Sequence, residues 1–229
     1  MNPSFEQEER DLSLNNPIYL EESTDYRQFI VNRTMFHTNN YTYISVYDKE
    51  NIFNFGCKTI FRKKKQKNDV FLNHSRIGQL IKNNNIFEFF INNEIIPHII
   101  IKYKINNNGP ASCSVLLPNR YTTQESINEF KKNDLRYSLA DKYPHGDYLI
   151  HKKPQRRTYN SGYFLKFKQR DIKSSRKNVS IDTPYQIDSY STQLELCKVN
   201  SSDKISVISR NNMNPLRSAV FSFAWLTIL

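Results

Sequence analysis

The sequence predicts a mainly β domain folded around its own C-terminus, and two observations carry that expectation. Eleven short runs rich in β-branched and aromatic residues are separated by turn formers, which is the pattern of a sandwich or barrel. The final stretch, Leu216 to Leu229, is the most apolar of the chain. A helix that is hydrophobic on every side is a buried helix.

Residues 1 to about 25 show little apolar periodicity and read as a loose lead-in to one domain spanning 26–229. Met1 to Arg10 is polar and acidic, unlike a secretory signal or an Arg-rich transit peptide. The strand-like runs follow as Gln28–Val31, Tyr41–Tyr47, Ile52–Phe55, Asp69–Leu72, Ile86–Ile91 and Ile99–Ile105. Cys113–Leu117, Tyr148–Ile150, Tyr163–Lys168, Leu194–Val199 and Ile205–Ile208 complete the series. A helix is predicted over Thr123–Lys132, with an N-cap threonine, early acids and late bases. The second helix begins at Pro215, whose missing N–H is harmless in a first turn. Arg217 and Ser218 leave eleven residues from Ala219 onward. A bilayer crossing needs ~20 apolar residues, so no transmembrane segment is expected.

Composition narrows the function. Five glycines stand against fourteen tyrosines and fifteen phenylalanines, so aromatics and isoleucine must build the core. The asparagine runs Asn83–Asn85 and Asn106–Asn108 read as A/T-biased coding. A net charge of +11 points to an anionic partner: nucleic acid, acidic protein or anionic lipid. Cys57, Cys113 and Cys197 lie far apart without C-x-x-C spacing, as expected of buried thiols in a reducing, cytoplasmic protein.

Catalytic signatures are missing from the sequence. The histidines His37, His74, His98, His145 and His151 lack metal-ligand spacing. There is no P-loop, dinucleotide-binding turn or nucleophile elbow. His145-Gly146-Asp147 after Pro144 reads as a turn. The expectation is a protein that is not an enzyme and uses neither metal nor cofactor.

Several blocks resemble the Tubby C-terminal domain family. Phe167, Arg170, Ser175, Lys177 and Asn178 match, without a gap, that family's strand ending in Phe, its Gly-Arg-Val turn and its Ser-x-Lys-Asn-Phe element. Gln169, Asp171 and Val179 replace the family's Gly, Val and Phe. Asn214-Pro215-Leu216 with Ala219–Ala224 is similar to its Tyr-Pro-Leu and Ala-Phe-Ala helix. Weaker echoes are Ser114–Pro118, Ile77-Gly78-Gln79-Leu80 and Lys152-Lys153-Pro154. The blocks keep the family's order over about 27–229, but the family's short tail after the helix is missing.

The resemblance implies a closed antiparallel β-barrel with the hydrophobic C-terminal helix through its centre. It also implies a non-enzymatic phosphoinositide-binding adaptor in membrane-protein trafficking, including to cilia. The partners would be a phosphoinositide-containing membrane surface and membrane-protein cargo or trafficking proteins. Its place would be cytoplasmic, peripheral to the plasma or ciliary membrane, or nuclear.

Taken by residue type alone, Lys58–Asn68 is a solvated charged hairpin loop. By resemblance it occupies the family's basic loop, and Arg62, Lys63 and Lys64 match positions that grip the lipid head group. Arginine offers phosphate a planar fork, and lysine an adaptable point charge. Each base near an anionic leaflet contributes ~1 kcal/mol, so Arg62 to Lys65 supply ~4 kcal/mol, suited to reversible recruitment. The family also places an arginine just after Ile-Gly-x-Leu. Here that position is Ile81, with Lys82 beside it. Lys82 serves as a ligand only if the strand twists or bulges, because neighbouring strand residues face opposite ways. The pairs Lys152-Lys153 and Arg156-Arg157, and Lys173 with Arg176-Lys177, read as solvated faces or as extensions of a membrane-facing or nucleic-acid-facing surface. Competing functions are a nucleic-acid-binding protein, which lacks any RNA- or zinc-finger signature, and a structural component attached to an acidic assembly.

Overall fold

The computed structural model describes residues 23–36, 41–47, 52–62, 65–92, 94–106, 110–133, 148–152, 154–156, 163–168, 172–183, 192–199 and 205–228. Its first strands are β1 (Ser23–Phe36), β2 (Tyr41–Tyr47), β3 (Ile52–Arg62), β4 (Lys65–Leu72), β5 (Ser75–Asn83) and β6 (Ile86–Ile91). After β7 (Ile99–Lys104) and β8 (Ser112–Leu116) comes helix α1 (Gln124–Lys132). Strands β9 (Tyr148–His151), β10 (Gln155–Arg156), β11 (Tyr163–Phe164), β12 (Val179–Asp182), β13 (Thr192–Lys198) and β14 (Ile205–Asn211) lead to helix α2 (Pro215–Ile228).

Nine strands form one continuous antiparallel sheet in the order β4-β5-β6-β7-β8-β9-β12-β13-β14. At its two outer strands, β3 pairs with β4 and β1 pairs with β14, while β2 lies between β1 and β3. β10 and β11 form a separate two-stranded ribbon. The mainly β class, the α1 position and the C-terminal helix agree with the sequence reading.

One face of the sheet meets α2. Val70, Leu80, Phe87, Phe89, Ile101, Val115, Leu149, Ile181, Leu194 and Val207 join Leu216, Val220, Phe221, Phe223 and Trp225 in a single apolar core. Every residue of α2 from Pro215 to Leu226 is buried. Burial on all sides requires its polar groups to find partners locally. Asn214 caps the helix, its Oδ1 accepting from the Arg217 N–H at 2.9 Å. Ser218 donates to the Met213 carbonyl at 3.0 Å, and Ser222 to the Ser218 carbonyl at 2.7 Å. The helix has 14 residues, or ~21 Å at ~1.5 Å per residue. Among the described residues, no helix is long and apolar enough to cross a membrane.

A smaller core forms on the other face, where Ile127 and Phe130 of α1 pack on Ile100, Leu116 and Tyr148. Thr123 caps α1 by accepting from the Ser126 N–H. At the opposite end of α1, Lys102 reaches across from β7. Its Nζ donates to the Lys131 carbonyl at 2.7 Å and also to the Asn133 carbonyl. A lysine there satisfies carbonyls left open by the last turn and complements the helix dipole.

The turns and the run boundaries refine the sequence reading. Asn73 and His74 take φ of 44° and 70° between β4 and β5, as a two-residue hairpin turn of the mirror-image type requires. Asn84 takes φ of 52° between β5 and β6, so the Asn83–Asn85 run has a conformational use beyond coding bias. β5, β10 and β12 are not among the eleven predicted runs, and the run at Tyr163–Lys168 is a strand only over Tyr163–Phe164. β1 begins at Ser23, inside the stretch read as lead-in; residues 1–22 lie outside the described residues. Gly78 is required by close packing. A Cβ there would meet the Phe90 carbonyl oxygen and come within 2.7 Å of the Phe89 ring.

Enclosure of α2 sets the first prediction. Phe221 is fully buried and stacks on Trp225 with ring centroids 6.0 Å apart. Phe221→Ala should destabilise the fold by ~3–5 kcal/mol, measured by urea unfolding. Removing Ala219–Leu229 should abolish cooperative folding altogether. A soluble truncation with a sharp thermal transition would show that α2 is not the core.

Candidate functional site

The basic run is not a loop. β3 and β4 pair in unbroken register from Phe55↔Leu72 to Arg62↔Lys65, so the strands continue through most of it. Only Lys63 and Lys64 remain as the connection, and these two lie outside the described residues. The β-branched and aromatic residues Thr59, Ile60 and Phe61 favour the extended backbone. The backbone of Arg62 and Lys65 is thereby held in paired strands and not in an open loop.

Lys82 is brought to the same end of the sheet. It pairs with Gln66 across β4 and β5, and that register runs regularly to Val70↔Gly78, where the only shift between these strands falls. Two strand spacings of ~4.8 Å separate β3 from β5, so Lys82 lies ~10 Å from the line of β3. Alternation puts it on the core face with Leu80, and Ile81 on the outer face opposite Lys67 and Glu88. Its ammonium lies 5.5 Å from the Phe87 ring centroid and 5.8 Å from that of Tyr103. Ring quadrupoles attract a cation at that range. Lys82 is therefore seated on two aromatic faces, half-buried, at the rim below the hairpin tip.

The same end collects further bases. The strand ends and turns at Lys82–Ile86, Lys104–Asn106 and Ile172–Asn178, with Lys198, carry lysine and arginine and no acidic residue. Lys104, Lys173 and Arg176 are exposed. Sequence reasoning missed Lys104 and Ile105. It took Ile99–Ile105 as one strand, whereas β7 ends at Lys104 and leaves Ile105 55% exposed.

The residues of the family resemblance serve architecture at this end. Asn178 accepts from the Lys198 N–H at 2.8 Å and donates to the Lys173 carbonyl at 2.9 Å. Ser175 accepts from the Lys177 N–H at 3.2 Å. The Lys177 carbonyl in turn accepts from Trp225 Nε1 at 2.9 Å. This turn thus fastens the end of α2 to β13. Lys152 is partly engaged as well, its Nζ 3.7 Å from Asp182. Phe167 and Arg170 differ in status: Arg170 lies outside the described residues, and Phe167 is half-buried beyond β11.

Burial holds the three cysteines and two histidines of the interior in their uncharged forms. Burial, with the charge of Asp69, pushes the Cys57 thiol up to about 12. Burial likewise raises Cys113 and Cys197. A thiol held protonated is a poor nucleophile. Among the described residues, no three of His, Cys, Asp and Glu gather as metal ligands would. Burial, with the Arg217 charge, lowers His98 to about 3, and burial lowers His151 to about 4.

These two histidines predict acid sensitivity. The unfolded chain takes up protons near the ordinary pKa of ~6.5, while the folded protein does not until pH 4 or below. Their contribution to stability is complete above pH ~6.5 and is lost as pH falls towards 4 and then 3. The melting temperature should fall over that range, and less steeply in His98→Asn. Equal slopes in both proteins would show that His98 is already charged in the fold.

No model of a known protein family matches this chain, and no curated protein does.

Proposed function

We propose that the chain is a non-enzymatic phosphoinositide-binding membrane adaptor of Tubby-like architecture. In this reading the sheet closes through β1, β2 and β3 into a barrel, and α2 runs through its centre. The pairing of β1 and β3 with the two outer strands and the all-round burial of α2 support that arrangement. The observation that carries the function is the hairpin tip Arg62–Lys65, set at a sheet end whose described turns hold no acid.

The chemistry follows from the tip. Vicinal phosphates of a phosphoinositide place several negative charges in a small volume. Arg62 supplies a fork to two oxygens, and Lys63 and Lys64 supply point charges around them. Lys82 at the rim adds a fourth cation whose position is fixed by Phe87 and Tyr103. The protein would act at the cytoplasmic face of the plasma or ciliary membrane, coupling lipid to membrane-protein cargo.

The experiment compares two double variants on vesicles. Arg62→Ala with Lys64→Ala should abolish preference for phosphoinositide over phosphatidylserine of equal charge, with little change in melting temperature, the result expected where the two charges serve binding and not the fold. Arg156→Ala with Arg157→Ala should weaken attachment modestly and leave selectivity intact. Equal losses would mean a diffuse polycationic surface. Tight binding to DNA or RNA with a steep salt slope, without lipid selectivity, would favour the nucleic-acid reading instead.

A further inference from the structure

Four large hydrophobic side chains are exposed among the described residues: Ile95, Ile96, Ile105 and Tyr121. Three of them share one end of the sheet. Ile95 and Ile96 lie in the β6–β7 connection and Tyr121 in the β8–α1 connection, which the pairing Ile100↔Leu116 brings to the same end. Lys82 and Lys104 stand at the other end, with Ile105. Ile95 projects furthest, at 89% exposure. The residue before it, Glu94, lines a groove together with Arg76, Gln79, Phe90, Ile91 and Asn92. Phe90 and Ile91 are half-buried there, while Arg76 and Glu94 are exposed. The Arg76 Nε donates to Asp69 at 3.0 Å and its Nη1 donates to Asn92 at 2.8 Å, which holds the guanidinium at the groove. Glu94 has no salt bridge among the described residues. One patch thus carries an apolar knob, a groove beside it and a charge of each sign.

We infer that this patch binds a second copy of the chain, in a two-fold dimer where Ile95 of each copy enters the other's groove against Phe90 and Ile91. The inference is independent of the lipid-binding reading. A two-fold contact uses one surface twice, so that surface must complement itself. Knob and groove are neighbours here, which lets the contact close on two copies; set far apart, they would build an open chain. The same operation brings Arg76 of each copy towards Glu94 of the other, an attraction counted twice. Charge also selects the occupant. A chain of net charge +11 repels its own copy, so two copies approach best where basic charge is locally offset. Arg76 is offset by Asp69 and Glu94, and Arg120 in the neighbouring connection is stacked on Tyr121 at 4.7 Å. Lys104 lies beyond the 6 residues of β7, a span of ~20 Å or about two Debye lengths. An anionic membrane or nucleic acid would instead meet the carboxylate of Glu94 at this patch. One knob and one groove per copy is less than a standard interface, so the dimer dissociates on dilution.

The test is analytical ultracentrifugation of the full chain over a wide concentration series. Wild-type protein should show a reversible monomer–dimer equilibrium with no larger species. Ile95→Asn should raise the dimer Kd about 100-fold, because a loss of about tenfold per buried isoleucine is taken twice across the two-fold axis. Ile105→Asn, at the other end of the sheet, should leave Kd unchanged. Arg76→Glu and Glu94→Arg should each prevent association alone, and their equimolar mixture should restore it, since every Glu then faces an Arg. Arg76→Glu also places a second acid beside Asp69, so the melting temperature of each variant is measured; Glu94→Arg and Ile95→Asn keep the test valid if Arg76→Glu does not fold. Monomer at every concentration overturns the proposal, as does a dimer indifferent to Ile95→Asn. Two folded charge variants that fail to associate on mixing overturn it as well. Continued growth beyond the dimer would mean a head-to-tail contact and would overturn the two-fold arrangement. Equal weakening by Ile105→Asn would show non-specific apolar association and overturn the patch.

Discussion

An apolar helix that must be covered on every side constrains everything else in this molecule. Pro215 to Leu226 is buried without a polar stripe, so no single sheet face or pair of helices can satisfy it. The strands supply the cover with alternating side chains, one face apolar towards α2 and the other free to be polar. The buried hydroxyls and the indole N–H of α2 each find a partner. Asn214 accepts from Arg217, Ser218 and Ser222 donate along the helix, and Trp225 Nε1 reaches the Lys177 carbonyl. An unpaired group in such a core costs ~1–3 kcal/mol, which explains why polar residues are few in α2 and all have local partners within reach.

The direction of α2 links this core to the charged end. The helix starts beside Met213 and Asn214, next to the end of β14, and finishes where Trp225 meets Lys177. Its carbonyl end therefore points to the end that carries the basic tip, Lys82 and Lys104. Partial negative charge at a helix C-terminus favours nearby cations, so some of the basicity there complements the helix. The same negative end would repel a phosphate drawn deep between the strands. Lys82, at this end of the sheet, lies within reach of that field while held over the Phe87 and Tyr103 rings.

Much of this was legible in the sequence, and what was not has definite physical causes. The helix boundaries were readable because Thr123 and Pro215 are local signals whose chemistry acts within one turn. β2 and β6 matched their predicted runs because aromatic and β-branched residues make up all but Ser45 of one and Glu88 of the other. β5 escaped because Gly78, Gln79 and Lys82 interrupt its apolar pattern. The sheet there is decided by neighbours, with Phe89 packed over the glycine. The length of β3 and β4 was hidden for a related reason: lysines and asparagines have low strand propensity, but pairing with a partner strand overrides it. Seats such as those of Lys82 on Phe87 and Tyr103 depend on cross-strand register, which a single sequence does not print.

Register also explains how one residue type performs three different tasks in this chain. Lys102 sits on the outer face of β7 and ends under α1, where three backbone carbonyls take up its ammonium. It is a structural cap, and its charge is spent inside the molecule. Lys82, one pairing position from the hairpin tip, lies on the opposite face and is held over two rings that leave its hydrogen-bond donors unused by them. Lys104, at a strand end, is exposed. In sequence, Lys102 and Lys104 differ by two residues and share a face. What separates cap from solvent-facing charge is the reach of α1, which covers Ile100 and Lys102 and stops short of the strand end. Net charge therefore overstates the surface available to an anion, because a charge such as that of Lys102 is taken up inside the molecule.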